Sequence, residues 1–130
     1  MPAEKMLAKK VWAVVGVSRK PHKYSNMIYH KLKKNNYQVY AVNPTISEVD
    51  GDLVYPSLTA LPVKPDVINM VVAPALGARY LEEAKELGIT DIWFQPGTHD
   101  ESIQALSDSL GLQTVQGCVL VASRKPYKPD

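Results

Sequence analysis

An uninterrupted apolar segment, VWAVVGV at Val11–Val17, most strongly limits what this chain can fold into. A strand without alternation of polar and apolar residues must be covered on both faces, which is typical of parallel sheets in α/β proteins. Four later segments share this short, apolar character and predict further strands: Gln38–Val42, Asp66–Ala73, Ile89–Phe94 and Leu112–Val115. We therefore expect five parallel strands that alternate with helices.

Helical segments fall between these strands. Ser25 is a favoured N-cap residue and precedes an amphipathic stretch, so it predicts the start of the first helix. Two more helices are predicted over Pro74–Leu87 and His99–Leu110, because a glycine directly follows each of them. The residues after Asn43 are predicted to form a loop through Gly51, and Tyr55–Leu58 a short turn.

The pattern predicts a single domain over residues 1–130, with a Rossmann-like five-stranded parallel sheet and helices on both faces. Its core is expected over about residues 11–121, and residues 122–130, which contain two prolines, as a loose tail. The chain has no apolar run near the roughly 18 residues that span a bilayer. Its first ten residues are polar and charged, and it has one cysteine. We therefore expect a cytoplasmic protein without a membrane partner.

The basic residues are concentrated in the first part of the chain. Residues 1–47 contain nine lysines and arginines against one acidic residue, whereas the remainder is acidic. Such a positive field suits nucleic acid or a phosphorylated small molecule, although it can also serve solubility alone. The group Arg19, Lys20 and Lys23 lies beside the turn that ends the first strand, where a ligand is expected.

That turn resembles half of a dinucleotide-binding motif. In VVGVSRKPHKYSN the first glycine, Gly16, is present, but the second and third glycines of G-x-G-x-x-G are missing. The helix expected at Ser25 presents unpaired N–H groups and a dipole that favour an anion. The pattern predicts a phosphate site held by longer cationic side chains. The alternative is that Gly16 only turns the chain and the cations are solvated.

The residues at the end of the second strand limit which nucleotide ligands fit the site. Dinucleotide dehydrogenases usually place Asp or Glu there to bind the ribose hydroxyls, but this strand ends in Val42–Asn43–Pro44. The missing carboxylate suits a ribose that carries its own phosphate. NADP and coenzyme A both fit this description.

An ordered set of motifs resembles one family. The segments are VVGVSRKPHKYSN, YQVYAVNPT, YPSL, LPVKPDVINMVVAP, ELGITDIWFQPG and GLQTVQGC. In order and spacing they are similar to the small stand-alone coenzyme A-binding domain proteins, and to the amino-terminal domain of the succinyl-coenzyme A synthetase α-subunit. The resemblance runs from about Val11 to Val121. It implies a Rossmann-like domain that binds coenzyme A and has no reaction of its own.

The resemblance also implies site residues. Against the phosphates it places Gly16, Val17, Ser18, Arg19 and, at the helix start, Ser25. Beside the ribose and its phosphate it places Asn43 and Pro44, beside the adenine Ala73 and Pro74, and along the pantetheine Gln95, Pro96 and Gly97. Many relatives have a lysine after V-N-P where this chain has Thr45. The ribose phosphate must therefore find another cation.

Cys118 is the only thiol of the chain and follows Gly117. One interpretation is a small buried residue at the sheet edge. The other follows from the order of the strands: if adenine lies toward the second and third strands, the pantetheine thiol ends near the loop that carries Cys118. A mixed disulfide with coenzyme A is then expected under oxidising conditions, with Arg124 or Lys125 assisting the thiolate.

Catalytic signatures are missing from the sequence. There is no G-x-S-x-G turn, no Walker lysine and no histidine pair at metal-ligand spacing. Asp100–Glu101 is expected to complement a helix dipole rather than to act in catalysis, and His99 is the remaining candidate base.

Three hypotheses from different classes follow for the function. The first is a non-enzymatic module without a metal site that binds coenzyme A or acyl-coenzyme A, as a carrier, sensor or regulatory partner of an unidentified protein. The second is an NAD(P)-dependent oxidoreductase or redox-sensing domain. The third is a nucleic-acid binder that uses the basic half, which no stacking motif supports.

Overall fold

The computed structural model describes residues 2–123 and 126–127. Its centre is a seven-stranded sheet with the strand order β3-β4-β2-β1-β5-β6-β7. The strands are β1 Val11–Val15, β2 Gln38–Val42, β3 Glu48–Val49, β4 Asp52–Tyr55, β5 Val67–Met70, β6 Asp91–Phe94 and β7 Gln113–Gln116. Every neighbouring pair is parallel except β3 with β4. The α/β class and the five predicted parallel strands are therefore confirmed.

Among the described residues, five helices cover the sheet: α1 Pro2–Leu7, α2 Tyr24–Lys34, α3 Pro74–Leu87, α4 Glu101–Ser109 and α5 Val119–Ala122. The side chains of β1 alternate between two apolar clusters, one on each face of the sheet. Trp12 packs with residues of α1, α2 and α5 on one face, whereas Ala13 packs with residues of α3 and α4 on the other. The predicted placement of helices on both faces is confirmed.

The count of five strands is wrong, because the segment predicted as a loop after Asn43 contains a β-hairpin. Strands β3 and β4 pair antiparallel around Asp50 and Gly51, whose φ angles are 47° and 86°. Two central residues with positive φ and the sequence Asp-Gly are the signature of a tight hairpin turn. β4 then pairs with β2 and extends the sheet. With two residues, β3 is too short to show a period in the sequence.

The helix starts agree in part with the sequence. α3 has the predicted bounds, with Pro74 in its first turn and Gly88 in the left-handed region at its end. Asp100 caps α4 by accepting a hydrogen bond from the Ile103 N–H at 2.8 Å. The prediction of Ser25 as an N-cap is wrong. Lys23 occupies the cap position, so α2 begins two residues earlier than predicted, and Ser25 is buried within the helix.

Part of the predicted tail contacts the body of the protein. The Tyr127 ring lies 5.2 Å from the ring of Tyr37, and its N–H donates to the Asn35 carbonyl at 2.7 Å. Ala122 ends α5, and the buried Ser123 accepts from Asn35 Nδ2 through its carbonyl at 3.1 Å. Arg124, Lys125 and residues 128–130 lie outside the described residues. Within the described part of the chain, no helix has the length and apolar character needed to cross a membrane.

Candidate functional site

The strand order reverses at β1, which lies between β2 and β5. In open α/β sheets such a reversal leaves a crevice outside the carboxyl ends of the strands. Gly16 follows β1 there with a φ of 97° and lies against Val71 and Val72, the residues after β5. The single glycine of the turn is therefore required both by its backbone conformation and by the closeness of the neighbouring loop.

Two cavities lie along this edge, and Val72 lines both of them. The first, which we call the β2-side cavity, has a volume of about 330 Å³. It is lined by Gly16, Asn43, Pro44, Thr45, Val72, Leu76, Arg79 and Tyr80. The second, the β6-side cavity, has a volume of about 420 Å³. It is lined by Tyr24, Val71, Val72, Ala73, Gln95, Pro96, Gly97, Thr98 and Cys118. We call the two cavities together the groove.

The loop between β1 and α2 is held by hydrogen bonds to α2. The Ser18 N–H donates to Ser25 Oγ at 3.0 Å, and the Ser18 carbonyl accepts from Asn26 Nδ2 at 2.8 Å. Ser18 Oγ in turn accepts from the Lys20 N–H at 3.1 Å. Ser25 and Asn26 are buried polar residues, and their hydrogen bonds to Ser18 both satisfy their side chains and fix this loop. The serines predicted to contact phosphate thus shape the turn with their own hydrogen bonds.

The three cations predicted beside the turn are exposed. Within the described residues, Arg19, Lys20 and Lys23 form no ion pair. Lys23 makes no capping bond with its side chain, so the first N–H groups of α2 remain open to an external anion. None of the three cations lines either cavity. They stand at the helix start from which Tyr24 reaches the β6-side cavity.

Two other lysines of the first half, Lys9 and Lys33, form ion pairs outside the groove. Lys9 pairs with the buried Asp91 at the opposite end of the sheet. Lys33 and the Tyr29 hydroxyl both donate to Asp52, which joins α2 to the β3–β4 hairpin. The hydrogen bonds from Lys33 and Tyr29 lower the pKa of the Asp52 carboxyl, whereas burial and the Asp52 hydrogen bond raise the pKa of Tyr29.

Asn43 connects the loops that follow β1 and β2. Its Nδ2 donates to the carbonyl of Val17 at 2.9 Å, and Val17 itself is fully buried. Its Oδ1 accepts from the N–H and the hydroxyl of Thr45, at 2.9 and 2.8 Å. Asn43 therefore fixes the wall of the β2-side cavity, a structural role that the sequence analysis did not anticipate. Pro44 lines the same cavity.

The β6-side cavity is lined by all three residues that were predicted along the pantetheine, Gln95, Pro96 and Gly97. Gln95 is 4% exposed, and its Oε1 accepts from the Val119 N–H at 2.9 Å. The carbonyl of Gly117 accepts from the Trp93 indole at 2.8 Å. These bonds fix the loop that carries Cys118, which is partly exposed and lines the cavity. Cys118 is therefore not a buried core residue.

Ala73 and Pro74 were predicted beside the adenine. Ala73 is the N-cap of α3 and lines the β6-side cavity together with Gln95 and Cys118. Pro74 occupies the first turn of α3 and lines neither cavity. The structure therefore brings Ala73 to the side of the groove where the pantetheine was expected.

Four lining residues were missed by the sequence analysis: Val71, Val72, Arg79 and Tyr80. Val71 and Val72 were expected within the third strand, and Arg79 and Tyr80 within the helix over Pro74–Leu87. Leu76 is 55% exposed although it is apolar, and the sequence alone does not indicate this exposure.

The candidate base His99 lies next to the groove but does not line it. Its Nε2 is 2.7 Å from Gln104 Oε1, and its ring packs edge-on against Phe94. Among the described residues, no cluster of three His, Cys, Asp or Glu side chains could hold a metal ion. The polar side chains that line the groove are instead one arginine, hydroxyl groups, two amides and one thiol.

A sequence profile described as the CoA binding domain matches residues 10–124. The chain belongs to this coenzyme A-binding domain family. The resemblance inferred from the ordered motifs is thereby confirmed.

Relatives of this coenzyme A-binding domain differ greatly in length. The chain is 36% identical over 80 residues to ADP-forming acetate–CoA ligase I of Archaeoglobus fulgidus, covering 62% of this chain and 12% of the ligase. It is 29% identical over 111 residues to the uncharacterized protein YneT of Bacillus subtilis, covering 85% and 82%. A solved hypothetical protein from Pyrococcus horikoshii has a TM-score of 0.83 at 34% identity, covering 88% and 82%. The chain thus spans a small part of the ligase and most of the other two proteins.

Proposed function

We propose that this protein binds coenzyme A or an acyl-coenzyme A in the groove and acts as a carrier or sensor without a reaction of its own. The observation that carries the proposal is that two neighbouring cavities, which share Val72 in their lining, lie at the point where the strand order reverses. An elongated ligand with a nucleotide at one end and a flexible arm at the other suits such a groove.

The chemistry of the two cavities predicts the direction in which the ligand lies in the groove. The β2-side cavity combines one arginine with apolar surface from Leu76 and Val72, which suits a phosphorylated nucleoside. The residues that line the β6-side cavity carry no charged side chain, which suits the uncharged pantetheine arm. The pyrophosphate then lies between them, near the start of α2 and the cations Arg19 and Lys20.

The same direction brings the ligand thiol to Cys118. Under oxidising conditions we expect a disulfide between Cys118 and coenzyme A, formed by thiol exchange with coenzyme A disulfide. The thiolate of Cys118 attacks one sulfur of that disulfide, and the other half leaves as coenzyme A thiolate. The protein then holds coenzyme A covalently and releases it on reduction, which is a carrier or redox-sensor function.

Thermal unfolding in the presence of single ligands tests the proposal, because a ligand that binds only the native state raises the melting temperature. Coenzyme A should raise it in a concentration-dependent manner. NADP and a short oligonucleotide, tested at equal concentrations, should raise it less. A larger shift with NADP would favour a redox domain, and one with the oligonucleotide would favour nucleic-acid binding.

A further inference from the structure

The loop after β2 supplies no positive charge to the β2-side cavity. Thr45 directs both its N–H and its hydroxyl to Asn43 Oδ1, at 2.9 and 2.8 Å. Pro44 has no N–H to donate. An anion that lies against this loop must therefore obtain its counter-charge from another element of the fold.

Arg79 on α3 is the one charged residue among those that line this cavity. Its side chain is exposed and forms no ion pair with any of residues 2–123 and 126–127. Arg79 also borders a neighbouring cavity whose lining includes Glu82, Glu83 and Glu86. An anion is repelled from that acidic side and attracted to the β2 side, where Arg79 meets no carboxylate.

The geometry of α3 explains why the guanidinium is not neutralised. Glu83 lies four residues after Arg79, a spacing that commonly forms an ion pair on a helix. The Glu83 carboxylate instead accepts from the N–H groups of Leu58 and Thr59, at 3.1 and 3.0 Å, and from the Thr59 hydroxyl at 2.7 Å. Its oxygens hold the turn after β4, so Arg79 keeps its donors for a ligand.

We infer that Arg79 determines the specificity of the groove for a ligand whose ribose carries a phosphate. The planar guanidinium can donate two parallel hydrogen bonds to two oxygens of a phosphate. The ribose hydroxyl of dephospho-coenzyme A is neutral and offers only one oxygen, so it cannot accept this pair of bonds. The inference rests on the proposed function and adds the residue that distinguishes coenzyme A from dephospho-coenzyme A. NADP carries a similar ribose phosphate and is included in the test.

The test measures affinities for coenzyme A, dephospho-coenzyme A and NADP by calorimetry. Wild-type protein should bind coenzyme A at least tenfold more tightly than dephospho-coenzyme A. In the Arg79→Gln variant, coenzyme A should bind as weakly as dephospho-coenzyme A binds to the wild type, so that the preference disappears. Adding Thr45→Lys to this variant should restore the preference, because a lysine there supplies a cation to the same cavity. NADP should bind less tightly than coenzyme A if coenzyme A is the ligand whose ribose phosphate Arg79 binds.

Lys85→Gln is the matched control, because it removes one positive charge from the exposed surface of the same helix, away from both cavities. It should keep the wild-type preference, and all variants should unfold at similar temperatures without ligand. Equal binding of coenzyme A and dephospho-coenzyme A by the wild type would overturn the inference and leave the proposed function standing. A preference that survives Arg79→Gln, or that Thr45→Lys fails to restore, would also overturn it. Binding of neither ligand, or tighter binding of NADP, would overturn the proposed function itself.

Discussion

Gly16 and Val72 approach so closely that a Cβ atom at position 16 would lie 2.7 Å from Cγ1 of Val72. The loops after β1 and β5 therefore touch at Val72, a residue that lines both cavities. Gly16 also has a φ of 97°, which L-residues rarely adopt. This contact explains why a turn with a single glycine is sufficient: the glycine is needed for close packing between two loops, and hydrogen bonds from Ser18 and Asn26 shape the remainder.

A first prediction concerns this contact. Gly16→Ala should lower the free energy of unfolding through backbone strain of about 1–2 kcal/mol and a steric clash of about 1–3 kcal/mol. It should also weaken coenzyme A binding about tenfold, equivalent to about 1.4 kcal/mol, because Val72 is displaced into the groove. Urea denaturation and calorimetry measure the two effects.

Gly111→Ala is the control for strain alone. Gly111 has a φ of 71°, but a Cβ there would meet nothing within 4 Å. This variant should lose less stability than Gly16→Ala and should bind coenzyme A like the wild type. Equal losses of stability in the two variants would show that the contact with Val72 is unimportant.

A second prediction concerns the cations of the loop after β1. Replacing Arg19 and Lys20 by alanine should weaken coenzyme A binding more than tenfold, since each lost charge-assisted hydrogen bond contributes about 1.5–3 kcal/mol. Because both side chains are exposed, the melting temperature without ligand should hardly change. Lys34→Ala, at the other end of α2, is the control and should leave the affinity unchanged. Calorimetry that finds wild-type affinity in the double variant would remove this loop from the site.

A third prediction concerns Cys118. Treatment with coenzyme A disulfide should give a single adduct in the intact mass spectrum, and dithiothreitol should remove it. The partly exposed position of Cys118 at the β6-side cavity is the physical reason. The Cys118→Ser variant should give no adduct. Wild-type protein that stays unmodified would show that coenzyme A disulfide does not react with Cys118.

A fourth prediction concerns acid stability. Hydrogen bonds from Lys33 and Tyr29 lower the pKa of Asp52 in the folded protein. A carboxyl group with a lowered folded pKa stabilises the protein above its unfolded pKa of about 4, and this stability is lost as the pH falls through the folded pKa. Asp52→Asn should therefore lower the melting temperature more at about pH 6 than at about pH 3.

Glu48→Gln in the same hairpin is the matched control for that prediction. Glu48 is exposed and forms no ion pair within the described part of the chain. Its loss should change the melting temperature little at either pH. An equal effect of Asp52→Asn at both pH values would contradict a stabilising charge on Asp52.

The parts of the fold that the sequence predicted are those with strong local signals. The bounds of α3 were predicted correctly because Pro74 and Gly88 mark its two ends. The β3–β4 hairpin was missed because Asp50–Gly51 is its only local signal and β3 has two residues. Ser25 was misassigned because a serine at a helix start favours an N-cap, whereas here its hydroxyl accepts from a loop N–H.

The candidate site was predictable where residues follow a strand directly. Gly16, Asn43 and Gln95 line the groove for this reason, and Cys118 lies two residues after β7. Arg79 was not predictable, because an arginine within a helix has the same sequence pattern whether it faces solvent or a cavity. Its role depends on the distant contact between Glu83 and the turn at Leu58–Thr59, which the local sequence does not encode.

The most direct test of the central claim is a titration of ¹⁵N-labelled protein with coenzyme A, followed by amide chemical shifts. Saturable shifts are expected along the groove, at Gly16, Val72, Gly97 and Cys118, because these residues line the two cavities. The amide chemical shifts of Asp50 and Gly51 in the β3–β4 hairpin should not change. Saturable shifts confined to the hairpin or another surface, or no shifts at millimolar coenzyme A, would contradict the account.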